Sequence, residues 1–424
     1  MAAIVPTRLE KLKQYLGSTL TQELNDRPLS GDPRQAAFKE LDRICANANI
    51  QLENDLREQV YSEVFDDLFG YGPIQPLLVD PTISEIMVNG SQSVFIERDG
   101  ELFETDIHFQ DDGQVLRVIN RMIYPLGRRI DSDHPMVDAR LPDGSRVNAV
   151  IPPSAVDGPC ITIRKFLINR MSMKDLVSAG TLTDNMAEFL RACIVARLNI
   201  IISGPTSSGK TTFLNVLSSF IPGQQRIVTI EDAVELKLQQ RHVIRLETKN
   251  PNSDGSGEVT IRDLVRNALR MRPDRIIIGE VRSGEALDMI QAMNTGHMGS
   301  ITTVHSNSPR DAITRLETAS MMAGLDIPLF AIRRQIASAI NLIVHINRFT
   351  DGSRRITHVT EIVGMEGEMV TMSDLFKFEQ TGISAEGKII GQIRPTGLRP
   401  LFGPRLEVVG YRLRSDIFSP NSRG

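Results

Sequence analysis

Residues Gly204-Pro-Thr-Ser-Ser-Gly209-Lys210-Thr211-Thr212 constrain this chain more than any other stretch. They fit G-x-x-x-x-G-K-[ST], with an apolar run at 199–203 before them and an amphipathic run from Lys210 to Phe220 after them. A strand that turns through such a loop into a helix is a device for holding polyphosphate. Gly204 and Gly209 admit backbone angles closed to other residues, so that successive N–H groups converge on phosphate oxygens. Lys210 brings a point charge to the β/γ-phosphates, Thr211 a hydroxyl suited to Mg2+, and the helix its positive end. The whole run, with Pro205, Thr206, Ser207, Ser208 and Thr212, is therefore the expected nucleotide-binding loop. The alternative is a Gly/Ser turn that merely caps a helix, and the strand–loop–helix context argues against it.

Around the loop the chain alternates a helix at 183–197 with apolar strands at 226–231, 243–246, 275–279, 300–305 and 342–346. Strands apolar throughout and separated by helices predict an α/β fold, with a parallel sheet covered on both faces. Upstream the texture differs. Apolar positions Leu9, Leu12, Tyr15, Leu16 and Leu20, then Phe38, Leu41 and Ile44, recur at helical spacing, and a third helix is predicted from Asn54 to Leu68. It stops at Gly70-Tyr71-Gly72-Pro73. Short strands then flank Asp-Gly turns at 99–100 and 143–144, as in hairpins. The predicted parts are helices over 1–68, an α+β domain over 69–166, a linker over 167–180, an α/β domain over 181–348 and a β-rich subdomain over 349–424.

With 424 residues the chain exceeds one compact core, and 41% hydrophobic with 24% charged residues is ordinary for a globular protein. A net charge of −4, 5% aromatic residues and no Trp give neither the basic footprint nor the stacking platforms of a nucleic-acid binder. Cys45, Cys160 and Cys193 are scattered and odd in number, which argues against a disulfide framework or a zinc site and for reduced thiols in a cytoplasm. No apolar run has the length of a signal peptide or a membrane span, so a soluble, cytoplasmic protein is expected.

A loop that binds phosphate needs further groups to hydrolyse it. Glu231 and Asp232, with Glu235 a weaker third, follow the strand at 226–231, and Glu280 follows Gly279 at the end of the strand at 275–279. Ligands of open parallel sheets gather at the carboxyl ends of strands, where these acids fall. Gly279 stands where an aspartate is usual, which leaves Mg2+ contact to be shared among Thr211, Glu280, Asp232 and Glu231. Competing readings are a strand-end ion pair of Glu280 with Arg282, and N-capping by Glu231 or Asp232. His297 and His305 flank another strand; eight residues apart and with no third ligand they make a poor metal site.

Taken together, the loop at 204–212, Ile230-Glu231-Asp232-Ala-Val-Glu235, Gly279-Glu280 and Thr295–His305 resemble, in order and spacing, the secretion ATPase superfamily of type II secretion, type IV pili and type IV secretion. Phe69–Leu78, Asn267–Arg282, Asn294–His297 and Gly387–Pro400 are most similar to the CpaF group, the tight-adherence (Tad) pilus assembly ATPases. The likeness runs from about residue 65 to the C-terminus. It implies a RecA-like P-loop ATPase domain, a PAS-like α+β N-terminal domain and an all-helical N-terminal extension, assembled as a homohexamer. It also implies ATP between the PAS-like and RecA-like domains, with arginines of the PAS-like domain reaching its phosphates. The matching positions are Arg146 and Arg164, with Arg140 a weaker candidate, and guanidinium is a natural clamp for γ-phosphate charge. Met298 departs from the pattern, which more often has an acidic residue there.

The resemblance implies hydrolysis of ATP with Mg2+. Lys210 and Mg2+ hold the phosphates, Glu280 polarises the attacking water, Arg146 and Arg164 close on the developing charge, and Glu231, His297 and His305 belong to the same catalytic set. Expected partners are inner-membrane pilus platform proteins and, through them, pilin, with no nucleic acid and no metal beyond Mg2+. The protein would then work at the inner membrane only through such a platform. Rival readings are a type II or type IV secretion ATPase moving protein or DNA, a nucleic-acid-dependent motor on the same core, and an ATP-dependent scaffold that does not hydrolyse.

Overall fold

The computed structural model describes residues 8–26, 31–98, 100–166, 171–249, 251 and 255–420. The expected turn residue Asp99 and part of the expected linker, 167–170, lie outside them. The chain divides into two compact units, Met1–Ile168 and Asn169–Gly424.

The first unit opens with helices α1 (Arg8–Asp26), α2 (Pro33–Asn47) and α3 (Asn54–Phe69). They close on Leu16, Leu20, Leu41, Ile44, Val60 and Tyr61; of the positions that the helical spacing marks, Leu16, Leu20, Leu41 and Ile44 are buried, whereas Tyr15 is exposed. Asp32 starts α2 by accepting from the N–H groups of Arg34 and Gln35, with Pro33 at the first helical position. After a short helix α4 (Gln75–Val79) come β1 (Ile83–Asn89), β2 (Ser93–Arg98), β3 (Glu101–Glu104), helix α5 (Asp112–Ile123), β4 (Met136–Arg140), β5 (Arg146–Val150) and β6 (Cys160–Arg164). These six strands form one antiparallel sheet in the order β3-β2-β1-β6-β5-β4. Its alternate residues Ile86, Val88, Val147, Ile161 and Ile163 pack with Val115, Val118 and Ile119 of α5 on one face. The opposite face carries Arg140, Arg146, Arg164 and Glu85.

In the second unit α6 (Met173–Ser178) and α7 (Asp184–Val195) precede β7 (Ile200–Gly204), α8 (Lys210–Ser218), β8 (Ile227–Glu231) and β9 (Val243–Glu247). There follow α9 (Ile261–Ala268), β10 (Arg275–Val281), α10 (Glu285–Asn294), β11 (Ile301–His305), α11 (Pro309–Met321), α12 (Leu329–Ala339) and β12 (Leu342–Arg348). The chain continues through β13 (Arg354–Glu366), β14 (Met369–Ile383), β15 (Ile389–Pro395) and α13 (Gly403–Val408). All nine strands share one sheet, ordered β15-β14-β13-β12-β7-β11-β10-β8-β9. From β9 to β12 neighbours run parallel, and β13 to β15 are added antiparallel.

Both faces are covered, and β7 shows how. Ile200 and Ile202 face a layer made by α7, α8 and the C-terminal segment, while Ile201 faces the layer of α9 to α12. The tail thus extends the sheet and seals it: Phe402, Leu406, Ile417 and Phe418 lie in the same core as Phe189 of α7. The buried Glu361 carboxylate accepts the N–H groups of Leu401 and Phe402 and fixes where that segment enters.

Candidate functional site

Because β7, β8, β10, β11 and β12 run parallel, their carboxyl ends meet along one edge of the sheet. Gly204, Glu231, Glu280 and His305 all fall there. Any side chain on Gly204 would run into the Ile346 carbonyl of β12, so the tight approach of two strands dictates glycine at that position. Gly209 has φ +95° and begins α8, and Ser207 also takes a left-handed conformation, φ +59°. The loop's Pro205, Thr206, Ser207 and Ser208 arch between them, with Thr206 and Ser207 exposed and Ser208 buried.

Lys210 leads α8, and its Nζ donates to the carbonyls of Gly204 (3.0 Å) and Pro205 (2.9 Å). Burial holds this amine below its ordinary pKa; Glu280 pulls it up and Arg282 pushes it down. Thr211 and Thr212 occupy the next two positions of the helix, both half-buried.

The acids divide by role. Glu231 is buried at the end of β8, and its Oε2 accepts from the N–H groups of Glu235 (2.7 Å) and Leu236 (2.9 Å). It therefore shapes the turn that follows it, as a cap would. A Cβ on Gly279 would stand 3.0 Å from Cγ of Glu231. The glycine where an aspartate is usual thus leaves room for Glu231 to cross from the neighbouring strand.

Glu280 sits at an irregularity in β10. Ile278 pairs with Thr302 but Val281 with Val304, so β10 carries one extra residue there. A bulge of this kind re-aims a side chain at a sheet edge. Thr303 Oγ1 fixes it by donating to the Gly279 carbonyl at 2.7 Å. The Arg282 guanidinium joins Glu280 (Nε, 2.9 Å) to the exposed Asp232 (Nη1, 3.3 Å). The ion pair considered as a competing reading is thus present, and it draws Glu280 and Asp232 together. Thr211 hydroxyl with these carboxylates is a set of hard oxygen donors of the type Mg2+ takes. Among the described residues no group of three or more His, Cys, Asp or Glu side chains forms a metal cage of its own; the remaining ligands of such an ion would come from phosphates and water.

His305 ends β11 opposite Gly204, with Nδ1 at 3.3 Å from Thr206 Oγ1, so it touches the loop directly. His297 lies at the other end of β11, where its carbonyl accepts from Ser300 Oγ at 2.8 Å. Met298 beside it is exposed.

Arg140, Arg146 and Arg164 belong to the first unit, and pairing aligns them: Arg140 opposes Arg146, and Arg146 opposes Arg164. Directly opposed residues share a face, so the three guanidinium stems form one row across β4, β5 and β6. Glu85 continues the row on β1 and lies 3.7 Å from Arg164, and Arg140 rests over the Phe166 ring.

Two features of the edge carry no motif. Arg354, which opens β13, donates from Nε to the Ser207 carbonyl at 3.3 Å and lies against Gly209. His345 of β12 lies buried behind the loop, 2.8 Å from Ser203 Oγ. The Arg354-Arg355 doublet after Asp351-Gly352-Ser353 was the only available signal for the first. The pairing of β12 with β7 that makes the second is invisible in sequence.

The family model described as "Type II/IV secretion system protein" matches residues 67–377. The chain belongs to this type II/IV secretion system protein family. It is 35% identical over 309 residues to a putative conjugal transfer protein of Mycobacterium tuberculosis, covering 72% of this chain and 87% of that one. It is also 35% identical to the conjugal transfer protein TrbB of Rhizobium radiobacter (68% and 86% covered), and 31% identical to the type IV secretion system protein VirB11 of Brucella suis (69% and 89% covered). Among solved structures, the ATPase DotB of Yersinia pseudotuberculosis superposes with a TM-score of 0.51 at 18% identity, over 75% of this chain and 81% of that one. That likeness bears on the α/β ATPase fold alone. Membership of this family, with a phosphate loop so built, makes the chain an ATPase. No helix among the described residues is long and apolar enough to cross a membrane.

Proposed function

We propose that the chain is the ATP-hydrolysing motor of a hexameric ring that powers assembly of a Tad-type type IV pilus, working through platform proteins at the cytoplasmic face of the inner membrane. The observation that carries the chemistry is the single edge where Lys210, Thr211, Glu231, Glu280 and His305 converge beside a glycine-built loop. Phosphoryl transfer asks chiefly for positioning and positive charge. Lys210 holds the β/γ-phosphates. Glu280, aimed by the bulge in β10, orients the attacking water, and Glu231 shapes the turn alongside. Thr211, Glu280 and Asp232 would hold Mg2+, which supplies charge neutralisation on the phosphates when bound. Arg146 and Arg164, with Arg140 in register beside them, supply the further positive charge that the γ-phosphate needs. His297 and His305 brace the strand between them, His305 against the loop. The PAS-like reading of the sheet with α5, and that of α1–α3 as an all-helical N-terminal extension, belong to the same proposal. Support for the pilus role comes from the residues shared with the CpaF group, at 69–78, 267–282 and 387–400.

The test replaces the chromosomal copy with Glu280→Gln. Bound ATP with hydrolysis lowered about a hundredfold or more, together with loss of surface pili, is expected. Full hydrolysis in Glu280→Gln would remove Glu280 from the chemistry, and normal pili with a dead ATPase would remove the pilus role. A second reading, an ATPase that moves DNA or protein through a conjugation or type IV secretion channel, is favoured by the names of the relatives above. It requires that the same variant abolish conjugal or effector transfer while pili persist.

A further inference from the structure

The hairpin between β12 and β13 rises from the same edge of the sheet as the phosphate loop, because β12 runs parallel to β7 from Leu342 opposite Ile200 to His345 opposite Ser203. At its base Arg348 opposes Arg354. The Arg354 side chain lies on the loop: Nε donates to the Ser207 carbonyl at 3.3 Å, and Cδ comes within 3.3 Å of where a Cβ on Gly209 would stand. The contact falls on the loop's two left-handed residues, Ser207 at φ +59° and Gly209 at φ +95°. Their backbone angles decide where the intervening N–H groups point.

The hairpin itself is held firmly. Asp351 Oδ1 accepts from Ser353 N–H (2.9 Å) and Oγ (2.6 Å), and Oδ2 accepts from the N–H of Ile389 at the start of β15 (2.8 Å). Arg355 Nη2 returns a bond to the Ile389 carbonyl at 2.9 Å, and its guanidinium rests over Phe378 of β14. Arg354 is thus mounted on a turn anchored to the C-terminal strands.

We propose that Arg354 is a positioning residue for ATP: it holds the Ser207 carbonyl and covers Gly209, so that the loop keeps the shape in which its N–H groups receive phosphate. The Asp351 turn, and through it β14 and β15, governs how firmly it does so. A guanidinium suits the task because its planar, permanently charged fork donates from Nε while the stem packs. The inference rests on the ATPase assignment and not on the pilus role, so binding of nucleotide by the purified full chain tests it alone.

Fluorescent ADP analogue affinity, ATP kinetics and melting temperature are to be measured for wild type, Arg354→Gln, Arg354→Lys and Asp351→Asn. Loss of a charge-assisted contact of this kind is expected to raise both the dissociation constant and KM in Arg354→Gln about tenfold, with kcat within about twofold. Arg354→Lys is expected to fall between wild type and Arg354→Gln, and Asp351→Asn to weaken binding in the same direction but less. The exposed Arg354 side chain makes an unchanged melting temperature without nucleotide the companion expectation. Unchanged affinity in Arg354→Gln would overturn the proposal. So would a fall in kcat at constant KM, which places the residue in the transition state, or a matching fall in nucleotide-free melting temperature, which makes it a contact of the fold.

Discussion

Glycine and glutamate at neighbouring strand ends explain one another. Gly279 leaves the space that Glu231 uses to reach the N–H groups of Glu235 and Leu236. Restoring the usual acid, Gly279→Asp, would press a Cβ and a second charge against a buried carboxylate. The expected outcome is a loss of about 1–3 kcal/mol in stability, read by urea unfolding, and a fall of at least about tenfold in steady-state phosphate release. Wild-type behaviour in Gly279→Asp would show that the departure at this position carries no packing meaning. The residues of the loop and the strand-end acids were legible because each lies within a short, ordered motif. Arg354 was not, since it reaches Ser207 from 147 positions away along the chain. The alignment of Arg140, Arg146 and Arg164 depends on strand register, which spacing in sequence does not reveal.

At the scale of elements, two buried polar groups hold the loop-bearing sheet in place. Arg275 begins β10 fully buried, and it donates to Gln225 Oε1 (2.8 Å), the Gly299 carbonyl (3.0 Å) and the Ile194 carbonyl at the end of α7 (2.5 Å). Burial pushes its pKa down to about 10. Arg275→Met would leave buried carbonyls without donors and is expected to cost on the order of 3 kcal/mol, measured by urea unfolding. A loss below about 0.5 kcal/mol would contradict that account.

His345, behind the loop on β12, is held by burial, and next by His358, down to about 4. A histidine kept neutral in the fold binds fewer protons than in the unfolded chain between about pH 4 and its ordinary 6.5. Its contribution is therefore complete above pH 6.5 and is lost as pH falls toward 4. Burial lowers His358 as well, so it acts in the same direction. Unfolding free energy is expected to drop across that window, and His345→Asn to flatten the slope. An identical slope in His345→Asn would exclude the residue as its source.

The alternation of apolar strands and helices revealed the parallel part of this sheet because β7, β8, β10, β11 and β12 are buried on both faces, while β9 at its edge is half-exposed. The antiparallel addition of β13 to β15 was not legible as part of the same sheet. Its strands are half-exposed, with burial confined to short stretches such as 359–362 of β13, and only tertiary pairing joins β13 to β12.

For the whole molecule, each unit carries its own set of charged residues. Asn169–Gly424 bears the phosphate loop and the acids, and Met1–Ile168 bears the arginine row. If the row serves the reaction, Arg146→Ala with Arg164→Ala is expected to lower kcat about a hundredfold or more while nucleotide still binds. Retained kcat would confine the row to a surface role. The same account holds that ATP is hydrolysed within a ring. Particle images of the full chain with ATP test this most directly. Six subunits in a closed ring, absent or loosened without nucleotide, are the result the account requires. A monomer under every nucleotide condition, with hydrolysis undiminished, would contradict it.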